Sequence, residues 1–378
     1  MAPQPSMNLS ADYVIVGSGL TGATIARLLT DAGRDVVVLE RRDHLGGNVS
    51  DHTHESGIRV HTYGPHYFRT SSNRIWSFVN RFASFYRYEA RLKSQVDGKL
   101  ENWPVSADYV AKTIGADWEP EFRGDASNFE EASLSKMPRL VYEKFVKGYT
   151  EKQWGVAAHQ LSVSLAGRFD VRSGDDERLV RHRYQCLPAE GYGRMMKSML
   201  AGIDVHLNTD YLEHRHSITA RRRLIFTGPI DEFFDFDLGR LSYRGQAREH
   251  VYLPDVDYYQ ECAQINNPSP DNGAHIRTLE WKHMMREDRR AIIRGTVITR
   301  ETPMTPTSPP GYEYPFPDSK NQCLYERYRE RAKAMSGLLV CGRLGDYRYY
   351  DMDQAIGRAM KLANRMLDDG KDRLRPTD

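Results

Sequence analysis

The sequence predicts an α/β fold: a Rossmann-like domain with an inserted helical domain and an antiparallel β-sheet domain. Three observations carry this prediction. Residues 12–42 read as strand, glycine-rich turn, helix and strand. Helical apolar spacing then dominates residues 74–148, with one break. From residue 164 to 304 short strand-like runs prevail, and strand and helix patterns resume near the C-terminus.

The first unit is "DYVIVGSGLTGATIARLLTDAGRDVVVLERR". "YVIVG" is a continuous run of β-formers, as expected of a strand buried on both faces. "GSGLTG" places Gly17, Gly19 and Gly22 in G-x-G-x-x-G spacing. Gly17 suits a tight turn, Gly19 lets backbone approach a pyrophosphate, and Gly22 lets helix and strand pack closely. "ATIARLLTDAG" is a helix closed by Gly33, and "DVVVLE" a second parallel strand ending at Glu40, an acceptor for ribose hydroxyls. The competing reading, a parallel sheet with a glycine-rich turn, does not explain the acidic strand end. The unit is read as a dinucleotide site. After Glu40 comes "RRDHLGGNVSDH", whose Gly46-Gly47 pair resembles the continuation found in FAD-binding proteins such as the amine oxidases. This favours FAD over NAD, with Arg41 and Asn48 joining the cofactor set.

Totals exclude other classes. Of 378 residues, 40% are apolar, enough for a real core, and the formal net charge is only +2. That balance argues against a general nucleic-acid binder. The basic runs "ARRRL" and "REDRRAIIR" are read as solvated faces. The four cysteines form no CxxC pair, so no metal knuckle is expected and a reducing, cytoplasmic setting fits. No signal-peptide layout or membrane-length apolar run is present, and residues 1–11 are expected to form a disordered tail.

In the middle, "RIWSFVNRFASF" has helical spacing, and "LSKMPRLVYEKFVKGYTEKQWG" reads as a long amphipathic segment. Between them "YEARLKSQVDGKLENWPV" reads as a hairpin turning at Asp97-Gly98. "VHLNTD", "RLIFTG" and the last helix are expected to return to the Rossmann-like domain. "TPMTPTSPPGYEYPFP" is read as an ordered loop. Near the C-terminus, "VCGRLGDYRYYDMDQAIGRAM" crowds tyrosines and arginines before a helix start, where free N–H groups favour an electron-rich partner.

Four stretches, "KGYTEKQWG", "FTGPIDEFFDF", "GRL-x-x-Y-x-YYDM" and "YGPH-x-F", give a likeness that runs from about residue 12 to 366. The chain resembles the UDP-galactopyranose mutase family of flavoenzymes, which interconvert pyranose and furanose nucleotide sugars. The resemblance implies a discontinuous FAD domain (12–73, 190–238, 325–378), a helical domain (74–84, 105–163) and a sheet domain (85–104, 164–189, 239–324). It also implies a redox-neutral reaction in which N5 of reduced FAD attacks the anomeric carbon while a nucleoside diphosphate leaves. NAD(P)H is a possible external reductant and a homodimer a possible assembly.

The same resemblance implies site residues. Arg168 and Arg277 would clamp the diphosphate, for which a guanidinium suits through paired hydrogen bonds. Tyr149 and Trp154 would lie beside the base and sugar, and Phe145 would wall the base; core packing is the competing reading for Phe145 and Tyr149. Tyr314 and Tyr349 would hydrogen-bond the diphosphate, and Asn266 joins the substrate set. Arg343, Tyr350, Asp351 and Met352 would contact the flavin. Capping of the last helix by the Asp351 carboxylate is the plainer alternative. His66, in the loop after Gly64, would meet the isoalloxazine.

The chain departs from the pattern in places. Arg69 replaces a second histidine, where it could meet the substrate or pair with a nearby acid. Ala90 stands for an asparagine near the sugar, and Leu179 for a tyrosine near the phosphates. These changes admit another hexose or deoxyhexose nucleotide. An amine-oxidase-like oxidoreductase and a non-catalytic nucleotide-sugar binder are the rivals from other classes.

Overall fold

The computed structural model describes residues 8–372 apart from 116, 169–170, 173 and 175. Its parallel sheet grows from the predicted unit. Strand β1 (Leu9–Val16), helix α1 (Leu20–Asp31) and strand β2 (Val36–Leu39) follow one another as expected. β1 is central: β2 pairs on one side in register Tyr13↔Val36 to Val16↔Leu39, and Ile218–Phe226 pairs on the other. Asp204–His206 and Leu338–Val340 complete five parallel strands, so "VHLNTD" and "RLIFTG" do return to this sheet. The expected tail is shorter than predicted, because Leu9 already pairs with Ile218. Residues 1–7 of that tail lie outside the described residues.

The turn after β1 shows why glycine is required. Gly17 has φ +100°, and a Cβ on Gly22 would stand 2.0 Å from the Gly17 carbonyl oxygen. The helix start therefore presses on the turn with no room for a side chain. No side chain caps the N-terminus of α1. The last helix, Met352–Asp372, packs along α1 and buries Ile356, Ala359 and Met360 in the same core.

The second sheet has seven strands, and the predicted hairpin forms its edge. Leu92–Val96 and Lys99–Trp103 pair antiparallel, turning through Asp97 and Gly98, both at positive φ. Gln264–Asn266 pairs parallel to that hairpin, and Arg277–Glu280, Thr296–Met304, Tyr243–Leu253 and Tyr314–Pro315 continue the sheet. Two of these strands, at 11 and 9 residues, are longer than the short strands expected. The proline-rich stretch is ordered, carrying a 3₁₀ turn at Pro309–Gly311 before the Tyr314–Pro315 edge strand.

The helical domain has its own core, including Phe129, Val141, Tyr142, Phe145 and Trp154. The expected amphipathic segment breaks at Pro138 and then runs continuously as Arg139–Val141, a π-helical stretch Tyr142–Lys147, and Gly148–Trp154. The expected helix over residues 74–85 is cut short. It spans Asn73–Val79, and Phe85 enters a three-stranded sheet opposite Pro188. The predicted boundary at 324/325 falls inside one helix, Ser319–Ala334, capped by Asp318. Tyr325 and Tyr328 of that helix share a core with Ile230, Leu241 and Tyr243. Among the described residues no helix is long and apolar enough to cross a membrane.

Gly22→Ala tests the packed turn. Because the obstruction is backbone, the substitution is expected to cost about 1–3 kcal/mol, read as a lower urea midpoint at unchanged slope.

Candidate active site

Three cavities lie in series. The first, about 1120 Å³ counted to its mouth, is lined by Gly17, Gly19, Gly22, Glu40, Arg41, Gly46, Gly47, Asn48, Arg343 and Met352 among others. Its lining, apolar with a few convergent polar groups, is that of a small-molecule site. Glu40 is buried and fixed: Ser18 donates to its Oε2 through N–H at 2.9 Å and hydroxyl at 2.7 Å, and the Arg42 N–H donates to Oε1 at 3.0 Å. Gly46 bridges back to Gly19, so both glycine motifs face one space. Uncapped N–H groups of α1 and a glycine-lined wall fit a dinucleotide pyrophosphate. Arg41 is bound in two hydrogen bonds to Glu232, at 2.9 and 2.7 Å. Arg42, which sequence reasoning passed over, holds Asn48 Oδ1 at 3.0 Å and lies 4.5 Å over the Tyr63 ring.

The second cavity, about 600 Å³, shares Asn48, His66, Arg343 and Met352 with the first. Tyr314, Tyr349, Arg69, Asp351, Arg277 and Glu313 are among its other wall residues. Tyr314 and Tyr349 lie face to face, centroids 6.0 Å apart. Arg343 donates to the carbonyl of Tyr350 at 3.1 Å and covers the Tyr349 ring at 4.8 Å. The third cavity, about 680 Å³, shares Arg69, Arg277 and Tyr349 with the second and adds Phe145, Tyr149, Trp103, Leu179 and Asn266. Asn266 accepts from Gln264 at 2.8 Å.

Beneath the junction lies a buried charge network. The Arg277 Nε donates to Glu301, and Arg248 donates to the same carboxylate at 2.9 Å. Arg248 also grips Glu313 with two bonds of 2.7 and 2.8 Å. Register explains the triad, since Arg248 and Arg277 are the direct cross-strand neighbours of Glu301 on either side. Burial alone would raise the Glu301 pKa; the two guanidiniums outweigh it and hold the carboxyl below its ordinary range. Gly64, at φ +90°, packs so closely that a Cβ there would stand 2.6 Å from Glu301 Oε1. Burial raises the Tyr149 pKa, and a hydrogen bond from Arg277 partly opposes it.

His66 donates through Nδ1 to the carbonyl of Gly64 at 2.7 Å, and its backbone N–H donates to His61 Nδ1 at 3.0 Å. Burial first, and the Arg343 charge second, lower the His66 pKa to about 3; burial and His66 do the same to His61. With Nδ1 engaged as donor, neutral His66 carries its lone pair on Nε2.

Trp154 departs from its expected place, being buried against Phe316 in the helical core and lining none of the three cavities. The Asp351 carboxylate does not cap its helix. It pairs with Arg69 at 3.0 Å, while Gln354 accepts from the Asp351 N–H at 3.1 Å. Arg168 ends the 3₁₀ stretch Val163–Arg168, and its clamp role lies outside the described residues. Ala90 is buried and Leu179 donates its N–H to the Ala90 carbonyl at 2.8 Å. Arg248, Glu301 and Glu313 were missed. A charged residue inside a strand gave no local signal of its burial, since Thr296 to Thr299 are all buried and Glu301 is singled out only by its cross-strand neighbours.

A cavity at the Rossmann-like turn, sharing wall residues with a polar cavity that in turn shares wall residues with an aromatic one, defines a nucleotide-handling α/β protein. A family profile described as UDP-galactopyranose mutase matches residues 144–349, and an NAD(P)-binding Rossmann-like domain profile matches residues 15–82. A Klebsiella pneumoniae protein named probable UDP-galactopyranose mutase is 33% identical over 372 residues, 94% of each chain. The dTDP-fucopyranose mutase of Escherichia coli is 30% identical over 378 residues, 95% of this chain and 99% of its own. The crystal structure of a reduced UDP-galactopyranose mutase superposes with TM-score 0.68 at 14% identity, covering 95% of this chain and 94% of that one. The chain belongs to the UDP-galactopyranose mutase family, and so to the isomerases.

Two outcomes are expected here. Glu301→Gln takes the buried carboxylate from Arg277, while Arg248 keeps Glu313, and should cost about 3–5 kcal/mol in chemical denaturation. His61 and His66 stay neutral when folded down to about pH 3 but protonate near 6.5 when unfolded. Unfolding between those limits takes up protons, so stability is whole above 6.5 and declines as pH falls toward 3. His61→Asn should reduce the proton uptake of unfolding at pH 5 by about one, seen in the slope of unfolding free energy against pH.

Proposed function

We propose that the chain interconverts the pyranose and furanose forms of a nucleotide sugar with FAD as its cofactor, UDP-galactopyranose to UDP-galactofuranose being the favoured pair. The supporting observation is the series of cavities, with Arg343 on the wall shared by the first two and Arg277 on the wall shared by the last two. Reduced FAD would supply a nucleophilic ring nitrogen, N5, for the anomeric carbon of the sugar.

The side chains divide the remaining tasks. Glu40 accepts from ribose hydroxyls, and the start of α1 with Gly46 and Gly47 receives the cofactor pyrophosphate. Arg277, with Arg168, holds the diphosphate of the substrate, and Tyr314 and Tyr349 add hydroxyl donors. Phe145 and Tyr149 wall the third cavity, where a base would stack for about 1–3 kcal/mol. The neutral Nε2 of His66 offers an acceptor between cofactor and sugar, which favours a site that accepts a hydrogen bond over one that delivers a proton. NAD(P)H would act as an occasional external reductant. The four free cysteines suit a cytoplasmic setting, where the product would feed cell-surface polysaccharide, and a homodimer is the simplest closed assembly.

A different hexose or deoxyhexose is the second reading. It is favoured by Leu179 on the third cavity, where the family pattern has a tyrosine, and by the dTDP-fucopyranose mutase relative.

Dithionite-reduced, FAD-loaded protein incubated with UDP-galactopyranose, and in parallel with dTDP-fucopyranose, should yield a furanose product without net oxidation. Stoichiometric oxidation of a substrate with no furanose from either nucleotide sugar would favour an oxidoreductase and reject this reading. Arg277→Ala should lower kcat/KM about 100-fold or more, as loss of two charge-assisted hydrogen bonds implies, while FAD absorbance in the purified protein persists.

A further inference from the structure

We infer that Arg69 tunes the reduction potential of the bound cofactor by neutralising Asp351 at the start of the last helix. The inference rests on the FAD reading above. Met352, the first residue of that helix, lines both the cofactor cavity and the second cavity, and Asp351 lines the second. A helix start carries roughly half a positive charge, which favours an anion facing it. Reduced flavin is anionic near neutral pH, so this helix start favours the reduced form. An ionised carboxylate at the same position would cancel that field.

Three details show how the chain avoids the cancellation. The Asp351 carboxylate turns away from its own helix to the Arg69 guanidinium at 3.0 Å. Gln354 reaches back to accept from the Asp351 N–H, so the helix start keeps one half of a capping box without the carboxylate. Both ion-pair partners are partly shielded, at 23% and 30% side-chain exposure, so the pairing is screened less than on an open surface. Other charges facing the second cavity are accounted for. Arg277 is balanced by Glu301, and Glu313 is held by Arg248. Among the described residues on this cavity wall, Arg343 is hydrogen-bonded only to carbonyls. Removal of Arg69 therefore changes the local balance by one whole charge. Among the described residues the buried Nε of Arg69 has no hydrogen-bond partner, and the Asp351 contact is made through Nη2.

The test is the midpoint potential of protein-bound FAD, measured by reductive titration against a reference dye. Arg69→Gln should shift it to a more negative value, and Asp351→Asn to a more positive one. The double variant should return close to the parent, and Arg69→Lys should recover most of the loss. An unchanged potential in Arg69→Gln, or a double variant that keeps the full negative shift, overturns the inference. If Arg69→Gln fails to fold, the upward shift in Asp351→Asn decides alone, and its absence counts against the proposal. Failure of the parent protein to bind FAD would instead sink the cofactor reading, a distinct result visible in its absorption spectrum.

Discussion

The site depends on one buried carboxylate between two guanidiniums. Glu301 has no solvent exposure, and its two cross-strand neighbours are Arg248 and Arg277. Strand register alone brings the three together, and a slip of one residue would send Glu301 to the opposite face. Desolvating an isolated carboxylate is costly, and two cations at hydrogen-bond distance offset that cost. The ties extend outward. Arg248 reaches Glu313, next to Tyr314, and Gly64 packs against the Glu301 carboxylate from the loop that carries His66. The sheet, the Gly64–His66 loop and the Glu313–Tyr314 segment thus meet around a single charge, to which Arg277 is tied.

The histidines contribute by staying uncharged. His61 and His66 lie near several arginines, and burial keeps both neutral far below ordinary histidine pKa values. Positive potential along the cofactor wall therefore comes from guanidiniums and helix starts. None of these titrates near neutral pH. The electrostatic environment of the site should accordingly vary little across the physiological range.

Much of the frame was legible in the sequence. The β1–α1–β2 unit announced itself because glycine spacing, apolar periodicity and the acidic strand end agree. The hairpin was legible because Asp97-Gly98 supplies the positive φ that its turn demands. Errors arose where tertiary contacts override local pattern. Residues 80–85 have helical apolar spacing, yet Phe85 gains a sheet partner in Pro188 and the helix stops at Val79. Trp154 shares a motif with Tyr149, but its ring serves the helical core. Glu301 was hidden for a related reason. A charge in a strand reads as solvent-facing until its neighbours across the sheet are known, and those neighbours lie 24 and 53 residues away.

The serial arrangement of cavities bears on how one site can handle a sugar that must change ring size. On the proposed reading the base is held in the third cavity by Phe145 and Tyr149, while the reacting carbon lies a cavity away. Binding energy from a remote, unreactive group can then hold the departing diphosphate without restraining the sugar. That separation requires a rigid wall between the two cavities, and Arg277 forms part of it. An arginine held only by solvent would follow its anion as it moved. One fixed through Nε to a buried carboxylate keeps its outer N–H groups in place when the diphosphate leaves and when it returns. On that reading, the burial of Glu301, which fixes Arg277, is a condition for the diphosphate to leave and return along one path.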